Sequence, residues 1–171
     1  TKQAANAIMA FAEHRMKHRE QAIWPAFWGH TGAGKTTMAR ELAKETGREL
    51  VTLLLHSMQP EDVLGLPDLG RGPVHWRTSE WVVTASQKPT LILLDEIDKA
   101  RPEVIATVLT ALASHEVRGI MLHPLSVFIL AGQPVPPDQF LADATGEALS
   151  ARVSWLPVHY DWNSLSTNLA V

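Results

Sequence analysis

Cysteine is absent from the 171 residues. Its absence excludes disulfide frameworks, Cys-ligated zinc, iron–sulfur clusters and thiol nucleophiles together. Long apolar runs are also missing. A membrane-spanning helix needs about 20 apolar residues, and the longest candidates, residues 91–94 and 127–131, are only long enough for buried strands. The first residues form an amphipathic stretch without the apolar core of a signal peptide. No excess of positive charge exists either: 15 Lys and Arg stand against 18 Asp and Glu, a formal net charge of −3. Overall charge therefore does not draw the chain onto nucleic acid or an anionic membrane. A chain that opens on Thr1 instead of Met reads as processed or excised from a longer one, with the cytoplasm as the expected location.

What is present is an ordinary globular composition, 46% apolar and 19% charged. That argues against disorder, collagen-like repeats and coiled coils. The length suits one domain with a sizeable core. Residues 1–21 carry Ala5, Ile8, Met9, Ala12 and Met16 at helical spacing. Continuous apolar strands are predicted at 23–28, 50–55, 90–94, 126–131 and 153–158. Helices are predicted at 38–46 (stopped by Gly47), 59–64, 79–87, 102–114 and 146–151. Residues 116–124 read as a hairpin around Gly119, and 65–74 and 132–137 as loops. Strands without polar alternation are expected where both faces of a parallel sheet are covered. Their alternation with helices predicts a three-layer α/β domain. Residues 1–22 are read as a helix packing on a core of residues 23–160, and 161–171 as a polar tail.

Residues 29–36, Gly29-His30-Thr31-Gly32-Ala33-Gly34-Lys35-Thr36, match G-x-x-x-x-G-K-[ST] at every fixed position. Glycines at 29, 32 and 34 permit backbone angles that side chains forbid. The N–H groups then turn inward as an anion nest, helped by the positive end of the following helix. Lys35 is the charge for β- and γ-phosphates, the Thr36 hydroxyl can hold Mg²⁺, and Thr37 continues the loop into the helix. The pattern follows a strand and opens a helix, which is the context this nucleotide-binding motif requires.

A second signal lies at 91–96, an apolar strand that delivers Asp95 and Glu96. At such a strand end an Asp contacts the Mg²⁺ shell of a bound nucleotide. Glu96 is free to point elsewhere and polarise a water.

Together these segments resemble the AAA+ ATPases. Residues 95–104, Asp-Glu-Ile-Asp-Lys-Ala-Arg-Pro-Glu-Val, are similar to a segment of the MoxR and dynein-related branch. So are 60–67, 127–134 and 148–153, in the family's order. The resemblance implies a P-loop NTPase core with a five-stranded parallel sheet ordered 5-1-4-3-2. It implies ATP and Mg²⁺ bound between subunits of a homo-oligomeric ring, often a hexamer, whose ATP hydrolysis to ADP remodels a protein or nucleoprotein partner. By position, Gln133 stands where a polar sensor, usually Asn, meets the γ-phosphate and attacking water. Arg152 stands where an arginine finger reaches a neighbour's site, although Val153 replaces the usual Phe. The hairpin at 116–124 lines the pore or contacts substrate in relatives. The family's helical lid is expected to be absent or truncated after residue 160. Two rival functions remain at this point: a nucleotide-dependent switch or scaffold with little turnover, and a P-loop kinase.

The other residues carry weaker signals. His14 and His18 have metal-binding spacing but no third ligand nearby, so a solvated face is the expectation. Six Trp are many for this length; Trp24, Trp28 and Trp155 are expected in the core, with a place beside adenine as the minority reading. Trp76 and Trp81 are candidates for a partner surface, although the helix at 79–87 is read with Trp81, Val82 and Ala85 inward. Arg71, His75, Arg77 and Arg118 would form a basic patch suited to nucleic acid if loop and hairpin converge.

Overall fold

The computed structural model describes residues 2–17, 22–70, 75–133 and 144–158. His18, Arg71, the run 134–137 and the polar tail lie outside these residues. The helices are α1 (Lys2–Lys17), α2 (Lys35–Glu45), α3 (Pro60–Leu64), α4 (Glu80–Gln87), α5 (Pro102–Ser114) and α6 (Ala144–Ser150). The strands are β1 (Trp24–Trp28), β2 (Glu49–Leu54), β3 (Leu66–Asp68), β4 (His75–Arg77), β5 (Thr90–Asp95), β6 (Glu116–Val117), β7 (Ile120–Met121), β8 (Val127–Gly132) and β9 (Val153–Pro157).

Five strands form one parallel sheet in the order β2-β5-β8-β1-β9. Numbered among themselves, these core strands read 5-1-4-3-2 from the other edge, as the sequence resemblance implies. All of β8 and nearly all of β5 are buried, which explains their unbroken apolar runs. β1 carries Pro25, a residue that costs a ladder hydrogen bond in most interior strands. Pairing with β8 begins only at Ala26, opposite Leu130, so Pro25 stands before that ladder starts. Helices α1 and α2 touch each other and the sheet, while α5 touches α3 and α6. Ala5, Met9 and Ala12 of α1 are buried, as are Val104, Ile105, Val108, Ala111 and Leu112 of α5.

Helix boundaries follow local chemistry. Pro102 opens α5, where its missing N–H costs nothing. Gly47 closes α2 at φ 66°, and Arg48 N–H reaches the Ala43 carbonyl at 2.9 Å.

Two expectations are corrected. Residues 65–74 are not simply a loop, because Leu66–Asp68 pairs antiparallel with His75–Arg77. A three-residue strand containing Pro67 shows no alternation to read. It forms because Gly65, at φ 90°, brings the backbone against the Arg77 carbonyl, and Arg77 pairs with Asp68 at 3.2 Å. Trp81 is buried, and its indole N–H donates to the Val63 carbonyl at 3.1 Å. It is therefore part of the core with Val82 and Ala85, as the helix reading has it, and not of a partner surface.

Strand β4, which follows the loop, meets the hairpin. The Arg118 guanidinium lies 3.3 Å from the centroid of the half-exposed Trp76 ring. Trp24 is fully buried, and Trp28 meets Trp155 edge to face at 4.7 Å. No helix among the described residues is long and apolar enough to cross a membrane.

Candidate functional site

Strand β1 delivers its last residue into the glycine loop, and α2 starts at Lys35. Gly32 and Gly34 have φ of 81° and 84°. Most side chains resist such angles, so the glycines set the loop's shape. Gly29 serves a different need: a side chain there would strike the Val158 carbonyl. Its N–H donates to the Gly132 carbonyl at 3.2 Å, which fixes the loop to the end of β8. Lys35 folds back and donates to the carbonyls of Gly29 at 2.5 Å and His30 at 2.9 Å. Partial burial pulls its pKa below the ordinary lysine value, while Asp95 and Asp98 oppose that shift. The His30 side chain itself is exposed.

Beneath the loop, the Thr36 hydroxyl donates to Asp95 Oδ2 at 2.9 Å. The other oxygen of Asp95 accepts the Glu96 N–H at 2.9 Å. Glu96 adopts left-handed backbone angles, φ 55° and ψ 43°, which a residue with a side chain rarely takes. This bend turns the chain from β5 into a 3-10 turn at Ile97–Lys99 and sends the two adjacent carboxylates apart. Glu96 Oε2 lies 2.8 Å from His56 Nδ1 and 3.5 Å from Lys99 Nζ.

Gln133 follows β8. Its N–H donates to Asp98 Oδ1 at 3.0 Å. Residues 31–37, Asp95, Glu96, Asp98, Gly132 and Gln133 line one cavity of about 300 Å³, within the size range of small-molecule sites. Thr36 and Asp95 supply adjacent oxygens, the donor type that Mg²⁺ prefers, so the residues fit a nucleotide-bound divalent cation.

Arg152 is not brought to this cavity. Its carbonyl accepts the Trp24 N–H at 2.9 Å, at the start of β1, whereas the glycine loop leaves the other end of that strand. One guanidinium nitrogen donates to the Ala148 carbonyl at 2.6 Å, and Nε is buried without a hydrogen-bond partner.

A family model for the AAA domain (dynein-related subfamily) matches residues 27–136, from within β1 to just past Gln133. The chain belongs to that AAA family. It is 38% identical over 72 residues to the Lon protease of Brucella abortus biovar 1 (strain 9-941) and to that of Brucella suis biovar 1 (strain 1330). It is 36% identical over 72 residues to the Lon protease of Buchnera aphidicola subsp. Schizaphis graminum (strain Sg). Each match covers 42% of this chain and only 9% of the relative's length.

The AAA domain is a nucleotide-binding P-loop core, and the cavity lies where its glycine loop meets the acids of β5. Two neighbours of these acids escape a reading by motif alone. Asp98 could be found as the third acid in Asp95-Glu96-Ile97-Asp98. His56 lies far from Glu96 in sequence. Only the β2–β5 register, with Leu54 opposite Asp95, carries it there.

Proposed function

We propose that this AAA core binds MgATP and hydrolyses it to ADP and phosphate, driving a ring-forming protein that remodels a protein or nucleoprotein partner. The observation that carries the reading is the 2.9 Å contact of Thr36 with Asp95 under the glycine loop. It joins a hydroxyl and a carboxylate at the edge of a phosphate nest, where a nucleotide-bound cation needs them.

Each residue then has a task. The loop N–H groups and Lys35 bind the β- and γ-phosphates. Thr36 and Asp95 would hold Mg²⁺, which neutralises charge as the γ-phosphoryl group transfers. Glu96 accepts the proton of the water that attacks the γ-phosphorus as the bond to ADP breaks. Gln133 orients that water, and Arg152 works in a neighbour's site, since it does not reach its own. Segments 60–67 and 95–104 place our reading nearest the MoxR branch. We take residues 1–22 as a helix on the core, 161–171 as a tail, and the cytoplasm as the location.

One observation favours a second reading, a switch with little turnover. His56 and Lys99 already engage the Glu96 carboxylate, so the base is held until something releases it. Phosphate release with Mg²⁺, measured beside ATP binding for the wild type and Glu96→Gln, separates the two. Steady turnover that Glu96→Gln loses while ATP binding persists supports hydrolysis. ATP binding without turnover at any protein concentration supports the switch, and absence of ATP binding overturns both.

A further inference from the structure

The end of β8 is tied on both sides. The Gly132 carbonyl accepts the N–H of Gly29, the first residue of the glycine loop, at 3.2 Å. The next amide, Gln133 N–H, donates to Asp98 Oδ1 at 3.0 Å. After it comes Pro134, which has no N–H and biases the residue before it toward extended backbone. Gln133 N–H is thus the last main-chain donor before that proline. The carboxylate that receives it belongs to the 3-10 turn following Glu96.

The fit around this junction is close. A side chain added at Gly132 would collide with the Trp28 ring, and it would crowd Asp98 Oδ1 and Ile97 at 3.0 and 3.1 Å. Asp98 therefore sits where the P-loop strand, the acid-bearing turn and the sensor strand meet. It also lines the cavity, and its carboxylate accepts a backbone amide.

We infer that Asp98 is a positioning residue. By accepting the Gln133 amide it aims the Gln133 side chain into the cavity and holds it in register with the turn that carries Asp95 and Glu96. The inference rests on the proposed role of Gln133 toward the γ-phosphate and water. A bond between a carboxylate and an amide is charge-assisted and directional, so it specifies orientation as well as distance. Gln is longer than the Asn usual in this position, and a fixed main chain offsets the added freedom of its side chain.

The experiment uses the whole chain and compares wild type, Asp98→Ala, Asp98→Asn, Gln133→Ala and the double variant Asp98→Ala/Gln133→Ala. It reads kcat, ATP affinity, thermal midpoint and hydrogen exchange at the Gln133 amide. Asp98→Ala is expected to lower kcat roughly tenfold while ATP affinity stays within about twofold, because misplacement and not binding is at stake. Asp98→Asn keeps an oxygen that accepts the amide, so it is expected to recover most of kcat and of the exchange protection. The double variant is expected to match Gln133→Ala alone, since two residues acting through one bond do not add.

Asp98→Asn as impaired as Asp98→Ala would overturn the inference and show that the negative charge itself matters, as it would toward Lys35. Two losses that multiply in the double variant would also overturn it. A wild type that binds ATP without hydrolysing it defeats the hydrolytic reading instead. Gln133 exchange still judges Asp98 in that case, and unchanged exchange in Asp98→Ala overturns the clamp. A silent Gln133→Ala in an active enzyme removes the sensor role, with the exchange rate again deciding the clamp separately.

Discussion

Thr36 and Asp95 stand 59 residues apart in the chain, yet the hydroxyl of one donates to the carboxylate of the other at 2.9 Å. The contact joins the first turn of α2 to the last residue of β5, and so fixes the glycine loop against the acids.

Asp95→Asn tests this pair. The amide is nearly the same size, so folding should be preserved, but the negative charge is gone. Turnover is expected to fall by about a hundredfold or more, and Mg²⁺ should no longer strengthen nucleotide binding. Titration calorimetry with and without Mg²⁺, beside phosphate release, reads both effects. Full Mg²⁺ stimulation in the variant would remove Asp95 from the metal site.

His56→Ala tests whether Glu96 is restrained. His56 Nδ1 and Lys99 Nζ lie 2.8 and 3.5 Å from Glu96 Oε2. Removing the nearer group should free the carboxylate and raise basal turnover about two- to tenfold, with ATP affinity unchanged. A fall in turnover would instead show that His56 holds Glu96 in its working position.

Arg152→Ala is expected to depress hydrolysis only at protein concentrations where subunits assemble, because Arg152 lies away from the cavity of its own chain. Rates measured across a concentration series, with particle mass followed in parallel, decide the point. An equal loss in a demonstrated monomer would contradict action in a neighbour's site.

His115 gives a pH dependence. It is 8% exposed, stacks at 6.0 Å on Trp24, and places Nε2 2.8 Å from the Ser126 carbonyl. Burial pushes its pKa below the ordinary 6.5, the Ser126 carbonyl opposes the shift, and nearby His123 adds to it. The unfolded chain therefore takes up a proton that the fold resists. Stability is full above pH 6.5, falls as pH drops through that value, and stops falling once pH passes below the folded pKa. His115→Asn tolerates the left-handed backbone there, at φ 55°, and should remove this part of the acid slope. Urea unfolding of both proteins across the acid range measures it; identical slopes would dismiss His115 as the group responsible.

Trp24→Phe tests the core. The Trp24 indole N–H donates to the Leu112 carbonyl at 3.0 Å and is fully buried. Loss of the donor should cost roughly 1–3 kcal/mol, seen as a lower thermal midpoint. Nucleotide affinity should hardly change, because the site lies at the other end of β1.

The apolar runs in β5 and β8 made a covered parallel sheet legible in the sequence, because a strand buried on both faces has no polar alternation to show. Glycines 29, 32 and 34 with Lys35 and Thr36 made the phosphate nest legible for a similar reason: close backbone turns restrict residue type locally. The β3–β4 hairpin could not be read, since three residues and a proline carry no period; backbone pairing, the close approach at Gly65 and the Arg77–Asp68 pair hold it. Tertiary structure alone decided that the Trp81 indole meets the Val63 carbonyl, that Arg118 covers Trp76, and that His56 meets Glu96. Those contacts depend on how strands align and helices pack, and no short-range pattern encodes the distance between residues brought together by register. Composition and spacing determined the nucleotide-binding core of this protein. The arrangement of its acids, with Asp95 on Thr36, Glu96 on His56 and Asp98 on Gln133, was decided by strand register together with the left-handed bend at Glu96.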